Sequence, residues 1–67
     1  MARRTLTESL HTREEILEGA VVCFLKKGVA QTSLEDIAKQ AGYTRGAVYH
    51  HFKNKPEIVI KLLESVM

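Results

Sequence analysis

The stretch TSLEDIAKQAGYTRGAVYHHF, residues 32–52, decides the fold of this chain. Its first half carries apolar residues at spacings of three and four, which predicts a short helix with one buried face. Gly42 ends that helix and supplies the backbone freedom of a three-residue turn, Gly42-Tyr43-Thr44. Thr44 is suited to cap a further helix that runs to about Phe52. Two short helices joined by a tight turn predict a helix-turn-helix.

A longer amphipathic helix precedes this stretch. Its apolar positions are Ile16, Leu17, Ala20, Val21, Cys23, Phe24 and Leu25. Two capping signals compete for its start, one at Thr5 and one at Thr12, and Gly28 is placed to end it. The next helix is capped by Ser33, with Thr32 as a close competitor.

A fourth helix opens after Asn54, a good cap, and Glu57 three residues later completes a capping box. Its apolar residues form an arc wider than one packing face needs. Ile58 and Leu62 can close the core, whereas Val59, Ile60, Leu63 and Met67 need cover elsewhere. We therefore expect an all-α domain: a three-helix bundle with a helix-turn-helix, plus the start of a fourth, linking helix. The predicted divisions are a flexible basic arm at 1–6, the helix-turn-helix domain at 7–57 and the start of the linking helix at 58–67.

Composition narrows the class of protein. The 67 residues make one domain at most, and the single cysteine excludes an internal disulfide. A reducing compartment follows, most simply the cytoplasm. No apolar run approaches the roughly 20 residues of a membrane span, so we expect no membrane association. The net charge of +2 is small, but residues 39–55 contain basic side chains and no acid. This segment is suited to phosphates.

The third helix carries side chains that suit the major groove of DNA. Arg45 has the fork that pairs with guanine, and Thr44 and Ala47 can contact a thymine methyl group. Gly46 is costly inside a helix, but at an outward position it would let the backbone approach base edges. Three further side chains can reach phosphates or bases: Tyr49, His50 and His51. The alternatives are an exposed charge for Arg45 and a ring half-buried against the first helix for Tyr49.

Two further basic groups can meet the DNA backbone. Lys53 and Lys55 flank the start of the fourth helix, and a helix N-terminus attracts phosphate. Arg3 and Arg4 lie on the predicted arm, which can follow the backbone or enter a minor groove. A solvated tail is an equally good interpretation of that arm.

The run TSLEDIAKQAGYTRGAVYHHFKNKPEIV, preceded by TREEILEGAVVCFLKKGV, resembles the N-terminal DNA-binding domain of the tetracycline-repressor (TetR) family, and in particular its multidrug-efflux repressors. The resemblance covers the chain from Arg3 onward. It implies that the bases are faced by Thr44, Arg45, Gly46 and Ala47. It implies that the phosphates are held by Thr32, Tyr49, His51 and Lys55. Tyr43 departs from the family pattern, where a smaller residue is common, and His50 stands where tryptophan is common.

The resemblance also implies partners. The family's repressors bind palindromic operators in double-stranded DNA as homodimers. Dimerisation and binding of a small-molecule inducer belong to a larger C-terminal helical domain that this sequence lacks. Control of an efflux pump is a further implication.

Other classes of function fit the sequence less well. A metal site is unattractive because the candidate ligands, His11, Cys23, His50 and His51, lack zinc spacing. No nucleophile, base and orienting group form a recognisable set, so we expect neither catalysis nor a cofactor. The alternative from another class is a small helical protein-interaction module, in which the apolar fourth helix binds a partner and the basic patch is incidental.

Overall fold

The computed structural model describes the backbone of residues 3–66 and the side chains of residues 10–65. It contains the helices α1 (Arg3–Lys27), α2 (Leu34–Ala41), α3 (Arg45–His51) and α4 (Lys55–Val66), and no strand within this part of the chain. The predicted all-α fold with a helix-turn-helix is confirmed.

The start of the chain differs from the prediction. A flexible arm was expected at 1–6, yet α1 begins at Arg3. Arginine and leucine are good helix formers, and adding turns to an existing helix costs far less than starting one. Neither predicted cap therefore stops the helix. Met1 and Ala2 lie outside the described residues.

The ends of α1 and α2 follow the predicted signals. Gly28 adopts a left-handed backbone with φ of 86°, and its N–H donates to the Phe24 carbonyl over 2.8 Å. Ser33, rather than Thr32, caps α2: its hydroxyl accepts from the Asp36 N–H over 3.1 Å. The Asp36 carboxylate in turn accepts from the Ser33 N–H over 2.9 Å, which completes a capping box.

Within residues 10–65, a core of nine buried apolar side chains joins the four helices. Its members are Ile16, Ala20, Cys23, Leu34, Ile37, Ala38, Val48, Phe52 and Ile58. Val48 of α3 and Phe52 just after it pack α3 against α2, because both are buried in this cluster with Ile37 and Ala38. Leu25, assigned to the apolar pattern of α1, is 82% exposed. At about 100° per residue it lies opposite Ile16 on the helix, so the predicted apolar face was too broad there.

Cys23 links the core to the start of α2. Its side chain is 7% exposed, and its Sγ–H donates to the Asp36 carbonyl oxygen over 3.6 Å. The thiol therefore lies inside the contact between α1 and α2, as expected for a small core residue.

The start of α4 is capped as predicted except for the hydrogen-bond partner of Glu57. Asn54 caps the helix as predicted, since its Oδ1 accepts from the Glu57 N–H over 3.0 Å. The Glu57 carboxylate, however, accepts from the N–H of Lys53 over 2.9 Å, one residue before the expected partner. Further along α4, Ile60 and Leu63 are 55% and 61% exposed, as the wide apolar arc predicted.

Candidate nucleic-acid interface

The turn between α2 and α3 is defined by its backbone. Gly42 has φ of 83°, and its N–H donates to the Lys39 carbonyl over 3.3 Å. The Tyr43 N–H donates to the Ala38 carbonyl over 2.9 Å, so the two bonds form a Schellman motif. Thr44 then caps α3 by accepting from the Ala47 N–H over 3.1 Å, as predicted. The direction in which α3 leaves the turn is therefore fixed by local hydrogen bonds.

A side-chain contact fastens this turn to α1. The Tyr43 hydroxyl donates to Oε1 of Glu15, while Oε2 of Glu15 lies 3.1 Å from Nε2 of His11. In the sequence, Tyr43 stood out only as a departure from the family pattern, and its contact with Glu15 was not predicted. No local signal could have found it, because Tyr43 and Glu15 are 28 residues apart.

The anchoring of α3 leaves its other side open to solvent. Val48 and Phe52 are buried at 0% and 2% exposure. Of the five residues predicted to contact bases, Ala47 is half-buried and the others are exposed: Thr44, Arg45, Gly46 and His50. Tyr49, predicted to reach phosphate, is 49% exposed. The structure thus brings this set together on one short helix, where Arg45 occupies the first turn.

Gly46 has open space around it. A Cβ added to Gly46 would meet only the hydroxyl oxygen of Thr44, at 3.9 Å. The backbone of Gly46 does not have a positive φ, so neither packing nor conformation within the described residues requires a glycine. A requirement from outside the chain would account for it.

His51 lies at the end of α3 in a partly buried, positively charged setting. Burial lowers its pKa below the ordinary 6.5, and the neighbouring His50 and Arg13 lower it further. The Arg13 guanidinium stacks over the Phe52 ring, 4.7 Å from its centroid, on the same side of the domain. At pH 7 His51 is therefore mainly neutral, and it can donate one N–H to a phosphate without adding a charge.

The residues predicted to contact phosphates differ in how exposed their side chains are and in whether their donors are free. Lys53 is exposed, whereas Thr32 is 2% exposed and both of its donors are engaged. The Thr32 hydroxyl donates to the Gly28 carbonyl over 2.7 Å, and its N–H donates to the Val29 carbonyl over 3.2 Å. In the unbound protein these two bonds close the connector between α1 and α2, and a phosphate contact of Thr32 stays a prediction.

The remaining predicted phosphate contacts are Lys55, Arg3 and Arg4. The Lys55 ammonium donates to the carbonyls of Val29 and Thr32 over 2.6 Å and 2.9 Å, so at most one N–H is left for a phosphate. The side chains of Arg3 and Arg4 lie outside the described residues.

Neither a metal site nor a membrane-spanning helix is present in the part of the chain that the structure describes. Across the described side chains, no three His, Cys, Asp or Glu residues gather in a way that could hold a metal ion. None of the helices within residues 3–66 is both long enough and apolar enough to cross a bilayer.

Comparison with known proteins gives a consistent set of relatives. The HTH-type transcriptional regulator TtgR of Pseudomonas putida is 54% identical over 66 residues, which cover 98% of this chain and 31% of TtgR. The HTH-type transcriptional regulator AcrR of Shigella flexneri is 48% identical over 64 residues, covering 96% of this chain and 30% of AcrR.

Solved structures agree with these relatives. NalD, the secondary repressor of the MexAB-OprM multidrug efflux pump in Pseudomonas aeruginosa, superposes with a TM-score of 0.83 at 53% identity, over 87% of this chain and 29% of NalD. SmeT, solved as a complex with triclosan, superposes with a TM-score of 0.81 at 57% identity, over 84% of this chain and 27% of SmeT. The chain thus spans less than a third of the length of these relatives.

One family matches most of the described fold. The family described as bacterial regulatory proteins, tetR family, matches residues 16–62, from the buried part of α1 to the middle of α4. Since this is more than half of the chain, the protein belongs to the tetR family of bacterial regulatory proteins.

Proposed function

We propose that this chain is the DNA-reading part of a transcriptional repressor and that α3 enters the major groove of a specific operator. The observation that carries the proposal is the exposed leading end of α3, held in place by the buried Val48 and Phe52. A helix held on one side and polar on the other can present side chains to base edges without rearranging.

Each exposed residue of α3 has a role suited to its chemistry. Arg45 donates two hydrogen bonds to a guanine, and Thr44 and Ala47 contact a thymine methyl group. Gly46 lets the backbone approach the floor of the groove. His50 contacts a base through a ring nitrogen.

The flanks of α3 bind the DNA backbone. Tyr49 and His51 donate hydrogen bonds to phosphates, and Lys53 contributes a charge beside the N-terminus of α4. Arg3 and Arg4 contact the backbone further along the duplex. These contacts fix the orientation of the domain but carry no sequence information.

The longer relatives support a wider proposal. A single short helix gives modest specificity, so the functional repressor is a homodimer that reads a palindrome in the cytoplasm, without catalysing a reaction. A small-molecule inducer, bound by a C-terminal domain, releases it from DNA. The similarity to NalD, a repressor of a multidrug efflux pump, makes control of an efflux pump the best candidate for its target. Induction acts by changing the spacing of the two recognition helices through α4.

The experiment is selection from a random duplex library with the chain fused after Met67 to a dimerising coiled coil. Enrichment of a palindrome is expected. Arg45→Ala should lose about 1–3 kcal/mol of discrimination at one base pair of each half-site. Recovery of unrelated sequences, with binding that vanishes at moderate salt, would show that the basic surface binds DNA without specificity and would overturn the proposal.

A matched variant separates base contacts from backbone contacts. Lys53→Ala should weaken binding to all sequences about equally and lower the salt slope by about 1. If Arg45→Ala behaved in the same way as Lys53→Ala, Arg45 would be a phosphate contact and its assignment to a base would be wrong.

The exposed Ile60 and Leu63 favour a second candidate, a module that binds a protein partner through α4. That function predicts that Leu63→Asp abolishes binding of the protein partner while Arg45→Ala leaves this binding intact. Sequence-specific DNA binding predicts the reverse in the selection experiment, since Leu63 lies on α4 whereas Arg45 begins α3.

A further inference from the structure

Lys55 is bound to a distant part of the chain. Its Nζ donates to the Val29 carbonyl over 2.6 Å and to the Thr32 carbonyl over 2.9 Å, across 26 and 23 residues of sequence. Among the described side chains, no acid forms an ion pair with it. Two of the three N–H groups of the ammonium are thus hydrogen-bonded to the connector between α1 and α2.

The connector has little apolar packing of its own. Val29 is 43% exposed, and Ala30 and Gln31 are exposed as well. The Val29 carbonyl already accepts from the Thr32 N–H over 3.2 Å, which closes a tight turn with two carbonyls beside Lys55. Charged donors make shorter and stronger hydrogen bonds than neutral ones, so Lys55 is a main restraint on this turn.

The position of Lys55 gives this restraint a wider effect. Lys55 is the first residue of α4, close behind the end of α3, while the connector leads directly into α2. The bond therefore closes a loop that contains the whole helix-turn-helix, from residue 29 to residue 55.

We propose that Lys55 is a positioning residue for DNA recognition: by tying the start of α4 to the α1–α2 connector, it makes α4 and the helix-turn-helix move as one unit. This inference rests on the proposed function and departs from the phosphate contact predicted for Lys55. A phosphate contact acts on the DNA alone, whereas this tie exists in the unbound protein.

The first test uses the chain without DNA. In Lys55→Met, which keeps the length of the side chain and removes the donors, the Thr32 amide should exchange its hydrogen about tenfold faster than in the wild type or faster still. Lys53→Met is the matched control, because Lys53 is exposed and the bond it makes to Glu57 uses its backbone N–H. Its Thr32 amide should exchange at the wild-type rate. Equal rates in all three proteins would overturn the proposal.

A measurement on the wild type covers the case in which Lys55→Met fails to fold. NMR of lysine ammonium groups should show slow hydrogen exchange at Lys55 and fast exchange at Lys53. Equally fast exchange at both lysines would mean that the tie does not form.

The second test uses DNA and distinguishes positioning from charge. With the dimerised chain, Lys53→Met should weaken selected and random duplexes alike and lower the salt slope by about 1. Lys55→Met should reduce the ratio between selected and random duplexes while the salt slope stays at the wild-type value. A Lys55→Met variant that matched Lys53→Met in both readouts would show an ordinary phosphate contact and refute the positioning role. If the wild type preferred no sequence, the proposed function would fail, and with it the positioning role, even if the tie were present in the exchange data.

Discussion

Gly19 in α1 meets Ala41 at the end of α2 with no space between them: a Cβ on Gly19 would lie 3.1 Å from the Ala41 Cβ and 3.3 Å from the Ala41 backbone nitrogen. The neighbour is a backbone and its first carbon, not the end of a flexible side chain. Any larger residue at position 19 must therefore push the two helices apart.

Gly19→Leu should lower the free energy of unfolding by about 1–3 kcal/mol, because it overpacks this crossing. Gly19→Ala should cost less, since the gain in helix propensity of about 1 kcal/mol offsets part of the crowding. Urea denaturation followed by circular dichroism measures both. A Gly19→Leu variant as stable as the wild type would show that α2 can shift away from α1 without loss.

Gly46→Ala should have the opposite effect on stability. Its new Cβ meets only open space, so the variant should gain about 0.5–1 kcal/mol in the free energy of unfolding. The same methyl group stands where α3 is proposed to approach the bases, so binding to the selected duplex should weaken. Gly46→Ala and Gly19→Ala form a matched pair of helical substitutions for denaturation and duplex titration. Tighter binding by Gly46→Ala would contradict the proposed approach of α3.

Acid should remove one specific contribution to stability. The N–H of Ser33, the Lys27 ammonium and the Ser33 hydroxyl lower the pKa of Asp36 from 3.8 to about 2. The Lys27 Nζ lies 3.0 Å from the Asp36 carboxylate. A lowered pKa means that the folded state favours the ionised form. The contribution is therefore fully present above pH 3.8 and is lost as the pH falls towards about 2.

Asp36→Asn isolates this charge, because the amide oxygen can still accept from Ser33. Urea midpoints of the two proteins should differ most above about pH 4 and converge towards about pH 2. Curves that stay parallel over this range would rule out the carboxylate as the source.

The pKa of His51 should respond to a substitution at Arg13. Its pKa lies below 6.5 because of burial first, then His50 and then Arg13. Arg13→Met removes one of these charges, so the pKa of His51 should rise towards its ordinary value. An NMR titration of the ring protons measures it, and Lys39→Met, a charge removed from the exposed surface of α2, serves as control. A pKa of His51 that did not rise in Arg13→Met would place the guanidinium too far away to act.

Local signals predicted much of this fold. Ser33, Thr44 and Asn54 each cap a helix as their side-chain chemistry suggested, and Gly28 and Gly42 each end one. Such signals operate within a few residues, so the sequence contains both partners side by side. The exposure of Arg45, Gly46 and His50 followed from the same local pattern, since Val48 fixes the buried side of a short helix.

Contacts between distant residues were beyond that pattern. Lys55 looked available to phosphate, yet its ammonium donates to the Val29 and Thr32 carbonyls, which only folding brings near. The bond between Tyr43 and Glu15 is of the same kind. Leu25 shows the converse: its apolar side chain fitted the periodicity, but the helices of the described chain do not surround α1 on that side.

The buried thiol of Cys23 makes the separation of α1 from α2 measurable as a rate of chemical labelling. Because the sequence has one cysteine and its Sγ lies between the two helices beside the Asp36 carbonyl, a thiol reagent should react faster when α1 and α2 separate. The labelling rate then reports how often α1 and α2 separate, and no reporter group has to be engineered into the protein. Followed with and without DNA, the same labelling rate would report whether a bound duplex slows the separation of α1 from α2 behind the recognition helix α3.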